Sequence, residues 1–130
     1  MINSSAFNYV NVLDKAADAC WTRNSLLANN IANVSTPNYK RQDVSFESQL
    51  STALKSNTVL DQAVNNMNLD SITPTVYTDQ SSYSYRTDGN NVDIDVEEAN
   101  YAENQIKYNA VLDSITQEFQ RITTVLNSVK

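Results

Sequence analysis

The stretch KYNAVLDSITQEFQRITTVLNSVK, residues 107–130, decides the fold class. Read at alternating steps of three and four, it puts Tyr108, Leu112, Ile115, Phe119, Ile122, Leu126 and Val129 on one line, all of them apolar. That period is the seam of a coiled-coil-like helix, with polar residues filling the other faces. The same rule applied to the start of the chain gives Val10, Leu13, Ala17, Cys20, Asn24, Leu27, Ile31 and Val34, apolar at every position except Asn24. A polar residue in such a seam either fixes register or sits at its edge.

The breakers agree with two long helices. The 130 residues contain one glycine, Gly89, and two prolines, Pro37 and Pro74, all between the two stripes. The chain therefore divides into an N-terminal core helix (1–36), a central segment (37–94) and a C-terminal core helix (95–130), together one structural unit of mainly α class. Thr36 precedes a proline, so the first helix should run from about Ser5 to Val34. Asp95, with Glu97 and Glu98 behind it, is the expected start of the second, its carboxylates capping free N–H groups and opposing the dipole.

In the centre, Pro37-Asn38 reads as a turn whose third position needs a positive φ, which Asn tolerates. Val44 and Phe46 alternate as in a strand, and Phe46, Leu50, Ala53 and Leu54 fit a short helical face. Residues 56–74 read as loop with a possible helical turn near Val59 to Val64. Thr75–Thr78 and Tyr83–Arg86 are β-prone and suggest a small hairpin.

Composition narrows the function classes. The net charge is −6, and the nine basic residues are scattered along the chain, unlike the clustered footprint of a nucleic-acid surface. Cys20 is the only cysteine and there is no histidine, so neither an intrachain disulfide nor a Cys/His zinc site can form. The acidic run Asp88, Asp93, Asp95, Glu97, Glu98 and Glu103 misses the spacing of a calcium loop and reads as a solvated helix start. Cys20 lies on the apolar seam, where a buried inert thiol is expected. No catalytic set, phosphate loop or cofactor motif is present, so catalytic, cofactor-binding and metal residues are all expected to be none. The first residues lack a basic region followed by an apolar run, so no cleaved signal is expected, and no stretch approaches a membrane span.

Two segments go beyond pattern. Residues 26–46, LLANNIANVSTPNYKRQDVSF, closely resemble the N-terminal signature of bacterial flagellar axial proteins, the rod, hook and hook-associated families. The specific part is Ala28, Asn29, Asn30, Ile31, Ala32 and Asn33, followed by Thr36, Pro37 and Tyr39. Residues 88–111, DGNNVDIDVEEANYAENQIKYNAV, resemble the C-terminal signature of FlgB-type proximal rod subunits. Asp88, Gly89, Asn90 and Val92, then Ala102, Glu103, Asn104, Gln105 and Tyr108, carry it. The family pattern usually has glycine where Asn38 stands.

The resemblance implies that the terminal helices pack as a coiled-coil core around a central channel while the middle contacts neighbours. It also implies export without a cleaved signal peptide, as a substrate of the flagellum-specific type III apparatus, and assembly into the basal-body rod. Implied partners are copies of the chain itself, other rod proteins, and the adaptor joining the rod to the membrane ring and export gate. No nucleic acid and no small-molecule substrate are implied. The two seams are then the expected assembly interface, becoming helical when neighbours supply the missing burial. A cytosolic coiled-coil adaptor or export chaperone would also explain the seams, but leaves residues 26–46 unexplained.

Overall fold

The computed structural model describes residues 7–55, 59–80 and 86–128. Helix α1 spans Asn8–Ala32, 25 residues without a glycine or proline. It stops two residues short of the expected Val34, and the expected start at Ser5 lies outside the described residues. Asn33 closes it: its N–H reaches the carbonyls of Asn29 and Asn30, each at 3.1 Å, and its Nδ2 donates back to Asn29 O at 2.8 Å. The chain then reverses through a turn closed by Tyr39 N–H to Thr36 O at 3.3 Å, with Asn38 at φ 59° as the sequence requires.

Strand β1 (Gln42–Ser45) leads through Phe46 into α2 (Glu47–Leu54). Next come α3 (Leu60–Asn66), a 3-10 turn at Leu69–Ser71 and strand β2 (Thr75–Thr78). The helical turn expected near Val59 to Val64 is α3, and the 3-10 turn orders part of what otherwise read as loop. Ala63 and Val64 of α3 are buried, apolar side chains too few to register as a period. The 3-10 turn is held by Asn68, whose side chain accepts the Asp70 N–H at 3.1 Å.

Among the described residues β2 pairs with β1. It runs antiparallel to β1, with Gln42 opposite Thr78, Val44 opposite Val76 and Ser45 opposite Thr75. Tyr83–Tyr85, the other half of the expected hairpin, lie outside the described residues. A strand's alternation tells which face it buries but not which partner it takes, and the pairing with β1 is nonlocal.

Helix α4 spans Ile94–Ser128, 35 residues, about 52 Å at about 1.5 Å per residue. Its cap is Asp93 rather than Asp95: Asp93 Oδ1 accepts the N–H groups of Asp95 at 3.1 Å and Val96 at 3.4 Å. The helix packs antiparallel on α1. Asn30 meets Glu97, Asn24 meets Asn104, and the rings of Trp21 and Tyr108 lie 6.2 Å apart. The central segment covers a different side of α1, where Ala19, Phe46 and Ile72 form a small core flanked by Ala16, Val44, Leu50, Ala53 and Met67. Among the described residues, no helix is long and apolar enough to cross a membrane.

Candidate assembly interface

The two seams are only partly used inside the chain. On α1, Leu27 and Ala17 are buried and Val10, Leu13, Cys20, Asn24 and Ile31 are half-buried, as is Val34 just beyond its end. On α4, Tyr108, Ile115 and Ile122 are half-buried, facing α1. Leu112, Phe119 and Leu126 are exposed at 39%, 48% and 70%. Val129 lies outside the described residues. The apolar line on α4 is wider than one partner helix covers, which leaves a strip of large side chains open along its length.

The junction of the three segments is polar, and it is built from the two motif segments. Asn90, itself buried, donates Nδ2 to the carbonyls of Asn33, Val34 and Thr36 at 2.9, 3.0 and 2.9 Å. It thereby satisfies carbonyls left free where α1 ends. Asp88 O accepts the Asn38 N–H at 2.8 Å, Lys40 Nζ reaches Gly89 O at 2.6 Å, and Arg86 donates to Val34 O at 2.8 Å. Gly89 has φ 74°, and a Cβ added there would lie 2.8 Å from Asn38 Oδ1. Val92 is buried beneath this crossing.

One turn into α4, Glu97 is wholly buried, not part of a solvated helix start as its sequence context implied. Arg41 Nε donates to its Oε1 at 2.8 Å and Asn30 Nδ2 to its Oε2 at 2.9 Å. Arg41 also reaches Asp43 at 3.0 Å and Asp79 at 3.5 Å, and Arg23 pairs with Asp43 at 2.9 Å. Burial opposes the charges of Arg41 and Arg23, yet their carboxylate partners raise both pKa values above the ordinary one, so both guanidinium groups stay charged. Burial likewise pushes Asp43 up, but Arg23, the Val44 N–H and Arg41 outweigh it and hold the carboxyl below its ordinary range. Such a network adds little net stability over apolar packing, but it admits one register of α1, β1 and α4.

The remaining motif residues are less committed. Ala28, Asn29 and Ala32 are exposed on α1, as are Ala102 and Gln105 on α4; Glu103 pairs with Lys107 at 2.9 Å. Asn104 is buried between the helices, donating to Cys20 O and Asn24 Oδ1, both at 2.8 Å. Burial and then Glu47 push the Cys20 thiol up, which makes it a poor nucleophile. The ion-pair residues Arg23, Arg41 and Asp43 were missed by the sequence reading. Their only signal is Arg41 and Asp43 two apart on one strand face, within a set of basic residues that otherwise looks dispersed.

A network that joins the end of the first helix to the start of the last is unlike a catalytic pocket. Comparison with known proteins supplies its context. The chain is 35% identical over 121 residues to the flagellar basal body rod protein FlgB of Bacillus subtilis, covering 91% of this chain and 92% of that protein. The chain belongs to the FlgB family of flagellar basal body rod proteins. FlgB of Borrelia hermsii is 32% identical over 127 residues, covering 90% of this chain and 94% of the relative. FlgB of Borreliella burgdorferi is 32% identical over 120 residues, covering 84% and 88%. No protein-family model matches the chain. The similarity to FlgB proteins spans both helices and the central segment, beyond the two motif stretches.

Proposed function

We propose that the chain is a structural subunit of the proximal rod of the bacterial flagellar basal body, not an enzyme. In this reading the α1–α4 hairpin packs side by side with neighbouring subunits around the export channel. The packed shaft then carries torque without any bond being made or broken. The observation that carries the reading is the open strip of Leu112, Phe119 and Leu126 on α4, in a chain similar over nearly its whole length to rod proteins. Exposed side chains of that size in a row are costly in water and become favourable when a neighbouring helix covers them.

The seam residues are assigned to this interface in two parts. Leu27 and Ala17 hold the hairpin of the single subunit, with Tyr108, Ile115 and Ile122 flanking. Val10, Leu13, Cys20, Asn24, Ile31 and Val34 are only half-covered and, with the open strip and Val129, are completed by other chains. Contacts that repeat head to tail without closing generate a helical stack. Other rod subunits, the adaptor to the membrane ring and the export gate are the remaining partners of this reading.

The test is deletion of the gene followed by complementation, with basal bodies purified and the subunit labelled. The expected result is loss of completed rods and of swimming on deletion, restored on complementation, with label at the membrane-proximal end of the rod. Complete rods in the deletion strain, or label confined to soluble complexes, would overturn it.

A further inference from the structure

Resting on the rod reading, we propose that neighbouring copies lock through a knob and a hole. The indole of Trp21 in one copy inserts into the groove between α1, α4 and the β1–α2 corner of the next. The groove measures about 560 Å³ and has Ala19 and Phe46 at its apolar floor. Asn104 also lines it, although the residue is 1% exposed. Both hydrogen bonds of Asn104 to α1 are made by its Nδ2. Among the described residues its Oδ1 receives no hydrogen bond. Among the described residues no buried side-chain oxygen lacks a partner, so this one is open at the groove wall, an acceptor available to a donor.

Trp21 is the complementary group. It is the sole tryptophan of the chain and is 63% exposed although its ring packs against Tyr108. Among the described residues its Nε1–H makes no hydrogen bond. Packing on Tyr108 fixes its direction, so little side-chain freedom is lost on insertion. Tryptophan combines a large apolar surface with one donor, which suits a groove with an apolar floor of Ala19 and Phe46 and acceptors such as Asn104 in its polar wall.

The two features lie on opposite flanks of the hairpin. Trp21 is two positions from both Ala19 and Arg23, and at about 100° per residue it points away from them. On α4, Lys107 turns toward the groove rim and pairs with Glu47 at 2.9 Å, while its neighbour Tyr108 turns toward Trp21. A knob on one flank and a hole on the other cannot satisfy each other in a closed two-fold pair. They satisfy each other in a head-to-tail series, and such a series need not close.

Cross-linking tests the contact. In a Cys20→Ser background, Trp21→Cys and Ser48→Cys chains with different tags are expressed beside an untagged Cys20→Ser chain that keeps Trp21 and Ser48, so that rods still assemble. Basal bodies are then treated with a short bismaleimide. The expected product is a link between the two tagged chains, at least tenfold above the control pair Asn29→Cys with Ser48→Cys. An equal yield in the control, no product in assembled rods, or a link only to a different protein overturns the proposal and leaves the rod reading intact. Complete rods in cells lacking the gene would instead remove the rod reading. As a second measure, Trp21→Ala should keep the circular dichroism of the wild-type subunit and lower rod yield at least tenfold. Undiminished rods with that variant would also overturn the contact.

Discussion

Asn30 pairs with Gln42 as a neighbouring strand would. Its Oδ1 accepts the Gln42 N–H at 2.9 Å and its Nδ2 donates to the Gln42 carbonyl at 2.8 Å. The same amide reaches Glu97 at 2.9 Å and accepts the Tyr39 hydroxyl at 3.1 Å. One side chain on α1 thus closes the outer edge of the sheet, fixes the buried carboxylate of α4 and holds the turn between them. Hydrophobic leucine of similar size would fill the space and leave all four partners unsatisfied.

Asn30→Ala should therefore destabilise the subunit by about 2 to 4 kcal/mol, the cost of leaving several buried polar groups without partners. Urea unfolding would show a lower midpoint with an unchanged slope. Asn30→Asp should do worse, since it places a second carboxylate beside Glu97. If Asn30→Asp matched the wild type, the buried placement of Glu97 would be wrong.

How much of this was legible beforehand follows from which interactions leave a local trace. Both long helices, the turn at Asn38, the β1 strand and the α2 face came from period and breakers, which act over a few residues. The helix cap fell two residues early, on Asp93, because several acidic residues in a row offer competing caps. The pairing of β2 and the burial of Glu97 depend on residues up to 67 positions apart, and the Arg23–Asp43 pair on residues 20 apart. A charged residue looks the same in sequence whether it meets water or a buried partner. The motif resemblance marked Asn30, Asn90 and Asn104 as special without saying that they meet carbonyls and carboxylates across the hairpin.

The acid limb of stability should belong in part to Asp43. Its folded pKa lies below the ordinary 3.8, so its contribution is full above that value and is lost as pH falls through the folded pKa. Thermal unfolding followed from pH 7 to pH 2 should show midpoints declining below about pH 4. Asp43→Asn should have a lower midpoint near neutrality and a flatter decline in that window. An unchanged slope in the variant would exclude Asp43 from the acid transition.

Position 38 should accept glycine and reject valine. Its φ of 59° is free for glycine, tolerated by asparagine and strained by about 1 to 2 kcal/mol or more for a β-branched residue. Gly89→Ala is expected to destabilise for two reasons, its φ of 74° and the 2.8 Å approach to Asn38 Oδ1. Only the second is relieved by Asn38→Gly, so the double variant should recover part of the loss. Chemical denaturation of the four proteins forms the cycle, and full additivity would show that the two residues do not touch.

Leu27 and Phe119 stand on the two sequence seams, one buried within the hairpin and the other open, and charge separates them. On sequence alone, Leu27→Asp and Phe119→Asp should behave alike, sparing the free subunit and blocking assembly. Leu27 is fully buried in the chain's own hairpin, whereas Phe119 is 48% exposed. Leu27→Asp should then cost the isolated subunit at least about 4 kcal/mol, lost packing plus an unpaired buried charge. Its helical circular dichroism should fall sharply. Phe119→Asp sits on a surface and should change the free subunit by less than about 1 kcal/mol. Rod assembly should nevertheless fail, because the aspartate would meet the apolar face of a neighbour. The comparison needs circular dichroism of both purified variants and a count of rods in cells carrying each. Equal helicity in Leu27→Asp and wild type would mean that the free chain does not hold this hairpin in solution. Normal rods with Phe119→Asp would take the α4 strip out of the interface altogether.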